Sequence, residues 1–114
     1  MLKLMRAPSK YVQGQDALLE LHENIKDLGN SFLFICSKSG KKAAQPKIEK
    51  SFEGTGAKIM FEVFGGICSK GEIARMRQIA KDNNIEVICA IGGGSAVDTA
   101  KATAYYEKLP VVII

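Results

Sequence analysis

Apolar and polar positions along this chain follow two alternating patterns, one short and continuous, the other longer and periodic. The continuous apolar runs are typical of strands buried on both faces of a sheet, and they cover residues 32–36, 58–64, 86–91 and 111–114. The periodic segments predict amphipathic helices over 16–28, 43–52, 71–83 and 96–108. This alternation predicts an α/β fold: a Rossmann-like, mainly parallel sheet with helices on both faces.

The loops that follow the predicted strands carry most of the residues suited to bind a ligand. Right-handed crossovers bring the carboxyl ends of parallel strands to one edge of the sheet, where open α/β sheets bind their ligands. We expect the glycines after Ile91, Ser37 with Lys38 after the first strand, and Gly65 with Gly66 after the second to lie at that edge.

The most informative stretch is a glycine triplet between an apolar run and a segment of helical composition. Gly92, Gly93 and Gly94 lack Cβ atoms, so they can adopt positive φ and let a ligand approach the backbone. The helix that follows presents free N–H groups and the positive end of its dipole at the same place. Ser95 can add a hydroxyl. The stretch predicts a phosphate or nucleotide site.

A second interpretation of the same residues needs no ligand. Ser95 and Asp98 have the spacing of a capping box, with Ser95 as the N-cap residue and Asp98 shaping the turn. Lys101 could then pair with Asp98 one turn further on. The spacing G-x-G-x-x-G is also absent, because position 97 is Val97. Any dinucleotide site here is therefore a variant of that fingerprint.

Other local signals mark the ends of helices. Gly29 follows the periodic leucines and isoleucine of the first helix and predicts its end. Ser69 and Glu72 have capping-box spacing at the start of the third.

Composition restricts the class of protein. The chain has 114 residues, 46% of them hydrophobic and 25% charged, as expected for one globular domain. No apolar run approaches the ~20 residues of a membrane span, and the amino-terminal residues lack the apolar core of a signal peptide. We therefore expect a cytoplasmic protein without a membrane partner.

The net charge of +4 comes partly from lysines at 41, 42, 47 and 50. They lack interleaved aromatic and arginine side chains, so a solvated helix face is favoured over a nucleic-acid surface. The three cysteines are an odd number without C-x-x-C spacing, and we expect Cys36 and Cys89 to be buried structural thiols. The single histidine, His22, lies beside the first helical stripe. No metal site and no catalytic residue is predicted within the chain.

Several motifs of the chain resemble those of a known protein family. The run G-G-G-S-A-V-D-T-A-K at 92–101 resembles the signature of the iron-containing, or group III, alcohol dehydrogenases. Within that family, the stretches 7–14, 64–73 and 98–102 are most similar to the glycerol dehydrogenases. The resemblance covers the whole chain, but only the amino-terminal, cofactor-binding third of such an enzyme.

The resemblance implies that residues 1–114 form a dinucleotide-binding domain with the fold of the amino-terminal domain of dehydroquinate synthases. The helical domain that binds metal and substrate in the family is expected to be absent from this chain. It implies reversible oxidation of glycerol to dihydroxyacetone, with hydride passing to NAD and a divalent metal, zinc in glycerol dehydrogenases, as Lewis acid. The family's metal ligands, one aspartate and two histidines, fall beyond position 114, so we expect this chain alone to be inactive. Gly92, Gly93, Gly94 and Ser95 match the family's pyrophosphate-binding turn, and Asp98 in the same motif is a further candidate for the cofactor site.

One position departs from the family pattern. Members usually have an aspartate after the strand at 32–36, where it binds the adenosine ribose hydroxyls; here the residue is Ser37, followed by Lys38. A serine can still bind a hydroxyl, but it does not repel a 2′-phosphate, and Lys38 can attract one. We predict a weaker preference for NAD over NADP; a plain solvated loop is the alternative.

The chain ends at Val-Val-Ile-Ile, inside an apolar run. We expect it to be a piece of a longer protein, and its last strand to be an unpaired template for another copy, which predicts a homo-oligomer.

Other functions stay open on the sequence. The chain could be a truncated, stand-alone nucleotide-binding or assembly module without catalysis. It could belong to another group III dehydrogenase, such as a glycerol-1-phosphate dehydrogenase. It could also bind a phosphometabolite or nucleic acid through the lysines at 38–50.

Overall fold

The computed structural model describes residues 9–11 and 15–114. The strands are β1 Ser9–Tyr11, β2 Ser31–Cys36, β3 Lys58–Val63, β4 Val87–Ile91 and β5 Val111–Ile113. The helices are α1 Gln15–Leu18, α2 Leu21–Ile25, α3 Lys38–Phe52, α4 Lys70–Asp82 and α5 Gly94–Glu107, with a 3-10 turn at Lys26–Leu28 after α2. The strands form one sheet in the order β1-β5-β4-β2-β3, and every pair is parallel.

Helices cover both faces of the sheet. One face packs on α1, α2 and α3 through Leu21, Ile48 and Phe52, among other apolar side chains. The opposite face packs on α4 and α5 through Met76 and Ala100. Because β2 and β4 are covered on both sides, each of their residues is buried, which explains why their sequences are continuously apolar rather than alternating.

The predicted α/β fold is confirmed, and the four predicted strands match the observed ones to within one residue at each end. A further strand, β1, pairs in parallel with β5 from Ser9↔Val111 to Tyr11↔Ile113. Its sequence, Ser-Lys-Tyr, contains no apolar run, so periodicity does not predict it. The rest of the stretch 7–14, which contributes to the family resemblance, lies outside the described residues.

Two helix predictions need correction. The segment predicted as one helix over 16–28 is broken into α1, α2 and the 3-10 turn, although Leu18, Leu21 and Ile25 all reach the same core as predicted. The helix predicted to begin at residue 43 begins at Lys38, because Ser37 acts as its N-cap and its hydroxyl oxygen accepts from the Gly40 N–H at 3.0 Å.

The predicted unpaired last strand is wrong. β5 lies between β1 and β4, and both Val111 and Val112 are fully buried. The physical reason given for self-association therefore does not hold, and the homo-oligomer stays an untested prediction.

Cysteine and histidine take structural positions. Cys36 and Cys89 are buried in β2 and β4, and burial raises the pKa of both thiols. The His22 ring packs edge-on against Phe52, with ring centroids 5.1 Å apart. Within residues 9–11 and 15–114, no helix is long and apolar enough to cross a membrane.

Candidate dinucleotide-binding site

The candidate site lies where two neighbouring strands end and their connections diverge. Cys36 and Ile91 are the last residues of β2 and β4 and stand opposite each other in the sheet. From this point α3 leads outward to β3, and α5 leads outward to β5 on the other side. Such a switch point leaves a crevice at the carboxyl edge, the usual ligand site of an open α/β sheet.

The turns after β2 and β4 are in direct contact. The Ser37 N–H donates to the Ile91 carbonyl at 3.2 Å. A Cβ atom on Gly92 would lie 2.7 Å from Ser37 Oγ and 3.2 Å from Ser37 Cβ, and Gly92 has φ +123°. Both the close approach and the backbone conformation therefore require glycine at position 92.

The next two glycines are not required by the fold in this way. A Cβ on Gly93 or Gly94 would meet no atom within 4 Å. Gly93 is the N-cap of α5 with φ −80° and ψ −176°, and Gly94 is the first helical residue. Neither packing nor conformation requires glycine at these two positions. The glycines leave the backbone N–H groups accessible to solvent, which a phosphate site built on backbone N–H groups needs.

The amino terminus of α5 has no side-chain cap, whereas α3 and α4 are capped by Ser37 and Ser69. The Gly93 carbonyl accepts from the Ala96 and Val97 N–H groups. The N–H groups of Gly94 and Ser95 precede this hydrogen-bond ladder and have no intrahelical acceptor. They point out of the helix end together with the positive end of its dipole.

The predicted capping box at the glycine turn is wrong. Ser95 is the second helical residue of α5, not its N-cap, and its carbonyl accepts from the Thr99 hydroxyl at 2.8 Å. Asp98 is the fifth helical residue and is exposed, so it does not cap the helix either. The reason is that the N-cap of α5 is Gly93, two residues before the N-cap that the box assumes. The capping box therefore does not explain the glycine triplet.

Ser37 is placed as predicted at this edge, but it already has a structural role. Its Oγ accepts from the Gly40 N–H, which fixes the start of α3 against the end of β4. Gly40 is crowded in turn: a Cβ there would lie 2.8 Å from Ser37 Oγ and 3.1 Å from Ile91 Cγ2. The Ser37 hydroxyl keeps its own hydrogen to donate to a ligand.

Three turns together border an open cavity of about 330 Å³. It is lined by Ser37 after β2, by two residues after β3, and by the start of α5: Ser37, Phe64, Gly66, Gly93, Gly94, Ser95 and Ala96. The volume is at the lower end for ligand sites, enough for part of a dinucleotide such as a pyrophosphate with a ribose. Asp98 does not line it.

Gly93, Gly94, Ser95, Ser37 and Gly66 line the cavity at the predicted edge of the sheet, and Phe64 is the lining residue that the sequence did not predict. Phe64 and Gly66 form the wall opposite Gly93 and Gly94. The pair Gly65-Gly66 was expected at this edge, and Gly66 has φ +96°, which a glycine adopts at no steric cost. The aromatic residue before the pair carried no recognisable signal.

The charge near the cavity is positive on the side of α3. Lys38 and Lys41 lie in and just after its first turn, which contains no acidic residue. Lys41 is near enough to oppose part of the pKa rise that burial causes at Cys36. The start of α5 likewise has no acidic residue in its first turn. The arrangement is electrostatically suited to an anion.

Metal ligation has no comparable basis in this part of the chain. Among residues 9–11 and 15–114, no three histidine, cysteine, aspartate or glutamate side chains lie together. The described residues therefore offer no cluster of side chains to hold a metal ion.

Comparison with known proteins identifies the family. The family model described as iron-containing alcohol dehydrogenase matches residues 8–112. The chain belongs to the iron-containing alcohol dehydrogenase family. The resemblance seen in the glycine motif is thereby confirmed.

Similar members of the family are named glycerol dehydrogenases. The glycerol dehydrogenase of Pseudomonas putida is 40% identical over 111 residues, which are 97% of this chain and 30% of that protein. That of Citrobacter freundii is 40% identical over 114 residues, 100% of this chain and 31% of that protein. The crystal structure of glycerol dehydrogenase from Schizosaccharomyces pombe superposes with a TM-score of 0.82 at 30% identity, covering 94% of this chain and 27% of that one. This member of the iron-containing alcohol dehydrogenase family thus spans about a third of the length of such relatives.

Proposed function

We propose that this chain is the dinucleotide-binding part of a metal-dependent polyol dehydrogenase that oxidises glycerol to dihydroxyacetone with NAD. The observation that carries the proposal is the uncapped start of α5, where Gly93 and Gly94 are open although the fold does not require glycine. Its position at the switch point between β2 and β4 supports the same ligand. The names of the relatives at 40% identity support the polyol substrate.

Each residue of the cavity has a role in this proposal. The N–H groups of Gly94 and Ser95 bind the pyrophosphate, and the Ser95 hydroxyl adds a donor. Gly92 keeps the turn against Ser37, so the pyrophosphate lies near the end of β2. Ser37 donates its hydroxyl hydrogen to the adenosine ribose. When bound, NAD supplies the nicotinamide that accepts the hydride.

The charges around Ser37 support only a weak preference for NAD over NADP. A carboxylate at the end of β2 would repel a 2′-phosphate, and position 37 carries a neutral hydroxyl instead. Lys38, exposed in the first turn of α3, adds a positive charge beside it. NADP is therefore a second cofactor of this site.

The divalent metal of the proposed reaction does not fit the residues described here. No cluster of three ligating side chains occurs within 9–11 and 15–114, so we assign no metal ligand and no catalytic residue to them. A cytoplasmic location and assembly into a homo-oligomer stay predictions from the sequence.

A titration with ADP-ribose tests the binding half of the proposal. ADP-ribose carries the pyrophosphate and both riboses without the nicotinamide, so we expect saturable binding that NADH displaces. Absence of binding by both compounds would contradict a dinucleotide site in this chain. Formation of NADH from glycerol tests the polyol half in a protein that carries this chain together with the helical metal domain of the family, with sn-glycerol 1-phosphate as the alternative substrate. A strict requirement for the phosphate ester would replace glycerol in the proposal.

A further inference from the structure

One arginine on α4, Arg75, contacts the end of β3 just before the loop that lines the cavity, and it also contacts Glu72, which binds the backbone of that loop. The Arg75 guanidinium donates to Glu72 through Nε at 3.1 Å and through Nη2 at 2.7 Å. Its Nη1 donates to Glu62 on β3 at 2.7 Å, and Nη2 also donates to the Val63 carbonyl at 3.0 Å. We call Arg75, Glu72 and Glu62 the arginine cluster. Its planar, forked donors fix the direction of each contact.

The arginine cluster reaches the loop itself through Glu72. The Gly65 N–H donates to Glu72 Oε2 at 2.6 Å. Phe64, between the two anchored peptide groups, donates its own N–H to the Cys36 carbonyl at 3.0 Å. The backbone on both sides of Phe64 is thus held to α4, while Phe64 itself is held to the end of β2.

This loop is the wall of the cavity that faces the glycine turn. Phe64 and Gly66 line the cavity opposite Gly93 and Gly94. Gly66 has φ +96°, and a Cβ there would meet nothing within 4 Å, so the chain at Gly66 has little packing of its own. The Phe64 side chain packs against the core on the side of α4 and α5. The contacts from α4 hold the backbone of this wall together with the hydrogen bond from the Phe64 N–H to the Cys36 carbonyl.

The arginine cluster contributes little to the fold as a whole. The Arg75 side chain is 41% exposed, and ion pairs at such exposure stabilise a protein only slightly. A network of four donors on one exposed guanidinium is better suited to fixing a loop than to holding a core. It also neutralises part of the charge of two carboxylates that stand near an anion site.

On the basis of the function proposed above, we propose that Arg75 is a positioning residue for dinucleotide binding, holding the loop 64–66 at the distance from the start of α5 that the ligand requires. Arg75 acts through Glu72 and the backbone, and does not line the cavity itself. A lysine at this position keeps the charge, but its three donors lie on one nitrogen, so it cannot reproduce the four hydrogen bonds that Arg75 makes from three nitrogens.

The substitution Arg75→Lys therefore distinguishes the effect of the Arg75 hydrogen bonds on the loop from the effect of the positive charge. The matched control is Arg77→Lys on the same helix: Arg77 pairs with Glu107 at 2.6 Å and lies over the Tyr106 ring at 5.1 Å, away from the loop. In a titration of the 114-residue chain with NADH, we expect Arg75→Lys to raise the Kd about tenfold and Arg77→Lys to leave it unchanged. Thermal unfolding should shift equally little in both.

Amide hydrogen exchange gives a readout that does not depend on the ligand. We expect the Gly65 amide to exchange about tenfold faster in Arg75→Lys and at the parent rate in Arg77→Lys. Parent-like NADH binding by Arg75→Lys overturns this inference and leaves the proposed function intact. Weaker binding with unchanged Gly65 exchange also overturns it, because Arg75 would then act on the ligand directly. If the parent chain binds no NADH, the proposed function fails and the inference fails with it.

Discussion

Gly92 and Ser37 are packed so closely that a Cβ atom on Gly92 would lie 2.7 Å from Ser37 Oγ. This contact joins the turns after β2 and β4, and it keeps the start of α5 beside the start of α3. The glycine triplet therefore has two distinct parts. The fold requires its first glycine, and the ligand that we propose requires the other two.

The first prediction follows from this division. Gly92→Ala places a side chain at φ +123° and against Ser37, and such backbone strain costs about 1–3 kcal/mol in the free energy of unfolding. Gly93→Ala, at φ −80° and in open space, loses only the preference for glycine over alanine at an N-cap and should cost about 0.5 kcal/mol. Urea unfolding measures both. Equal costs for the two substitutions would contradict the division.

The second prediction concerns the choice of cofactor at Ser37. Ser37→Asp and Ser37→Asn both keep an N-cap residue on α3, but only the aspartate adds a charge that repels a 2′-phosphate. We expect the parent and Ser37→Asn to bind NADH and NADPH with affinities within about tenfold of each other, and Ser37→Asp to disfavour NADPH by a further tenfold or so. An unchanged ratio of the two affinities in Ser37→Asp would show that position 37 is not the selector.

The third prediction concerns stability in acid. Hydrogen bonding from Arg75 holds the pKa of the Glu72 carboxyl below its ordinary value of 4.5. A carboxyl with a lower pKa in the folded state stabilises the protein above its unfolded pKa, and this contribution is lost as the pH falls through the folded pKa. The free energy of unfolding should therefore decrease as the pH is lowered below about 4.5.

The control for this pH dependence is a second ion-paired glutamate. Glu72→Gln should flatten the decrease in acid, since position 72 then has no proton to take up. Glu23→Gln removes the exposed pair with Lys26, which solvent screens, and should leave the pH profile almost unchanged. Profiles of Glu72→Gln and the parent that fall in parallel would contradict the assigned role of Arg75.

Hydrophobic patterning predicted most of the fold because β2 and β4 are buried on both faces. The same reasoning failed for β1, whose three residues contain no apolar run and are ordered by pairing with β5. That omission also produced the wrong prediction of an unpaired last strand. Long-range pairing of short strands has no local signal, so the sequence alone could not supply it.

The site was predicted in position but not in detail. The spacing Ser95-x-x-Asp98 fits a capping box with Ser95 as the N-cap residue. In the structure the N-cap residue of α5 is Gly93, two residues earlier. Local spacing cannot choose between these starts, since the choice depends on where β4 ends against Ser37. The arginine cluster could not be predicted from the sequence for a related reason. Glu62 and Arg75 lie on different elements, and only the packing of α4 against the end of β3 brings them together.

The central claim is that the open start of α5 binds the pyrophosphate of a dinucleotide, and one titration tests it most directly. NADH is titrated into the parent chain, into Gly94→Val, and into Gly71→Val, which places the same side chain in the first turn of α4. A Cβ has no neighbour within 4 Å at Gly94 and only Ser69 Oγ, at 4.0 Å, at Gly71, so both variants should fold. We predict saturable binding by the parent and Gly71→Val and its loss in Gly94→Val. Equal binding by all three, or by none, would contradict the claim.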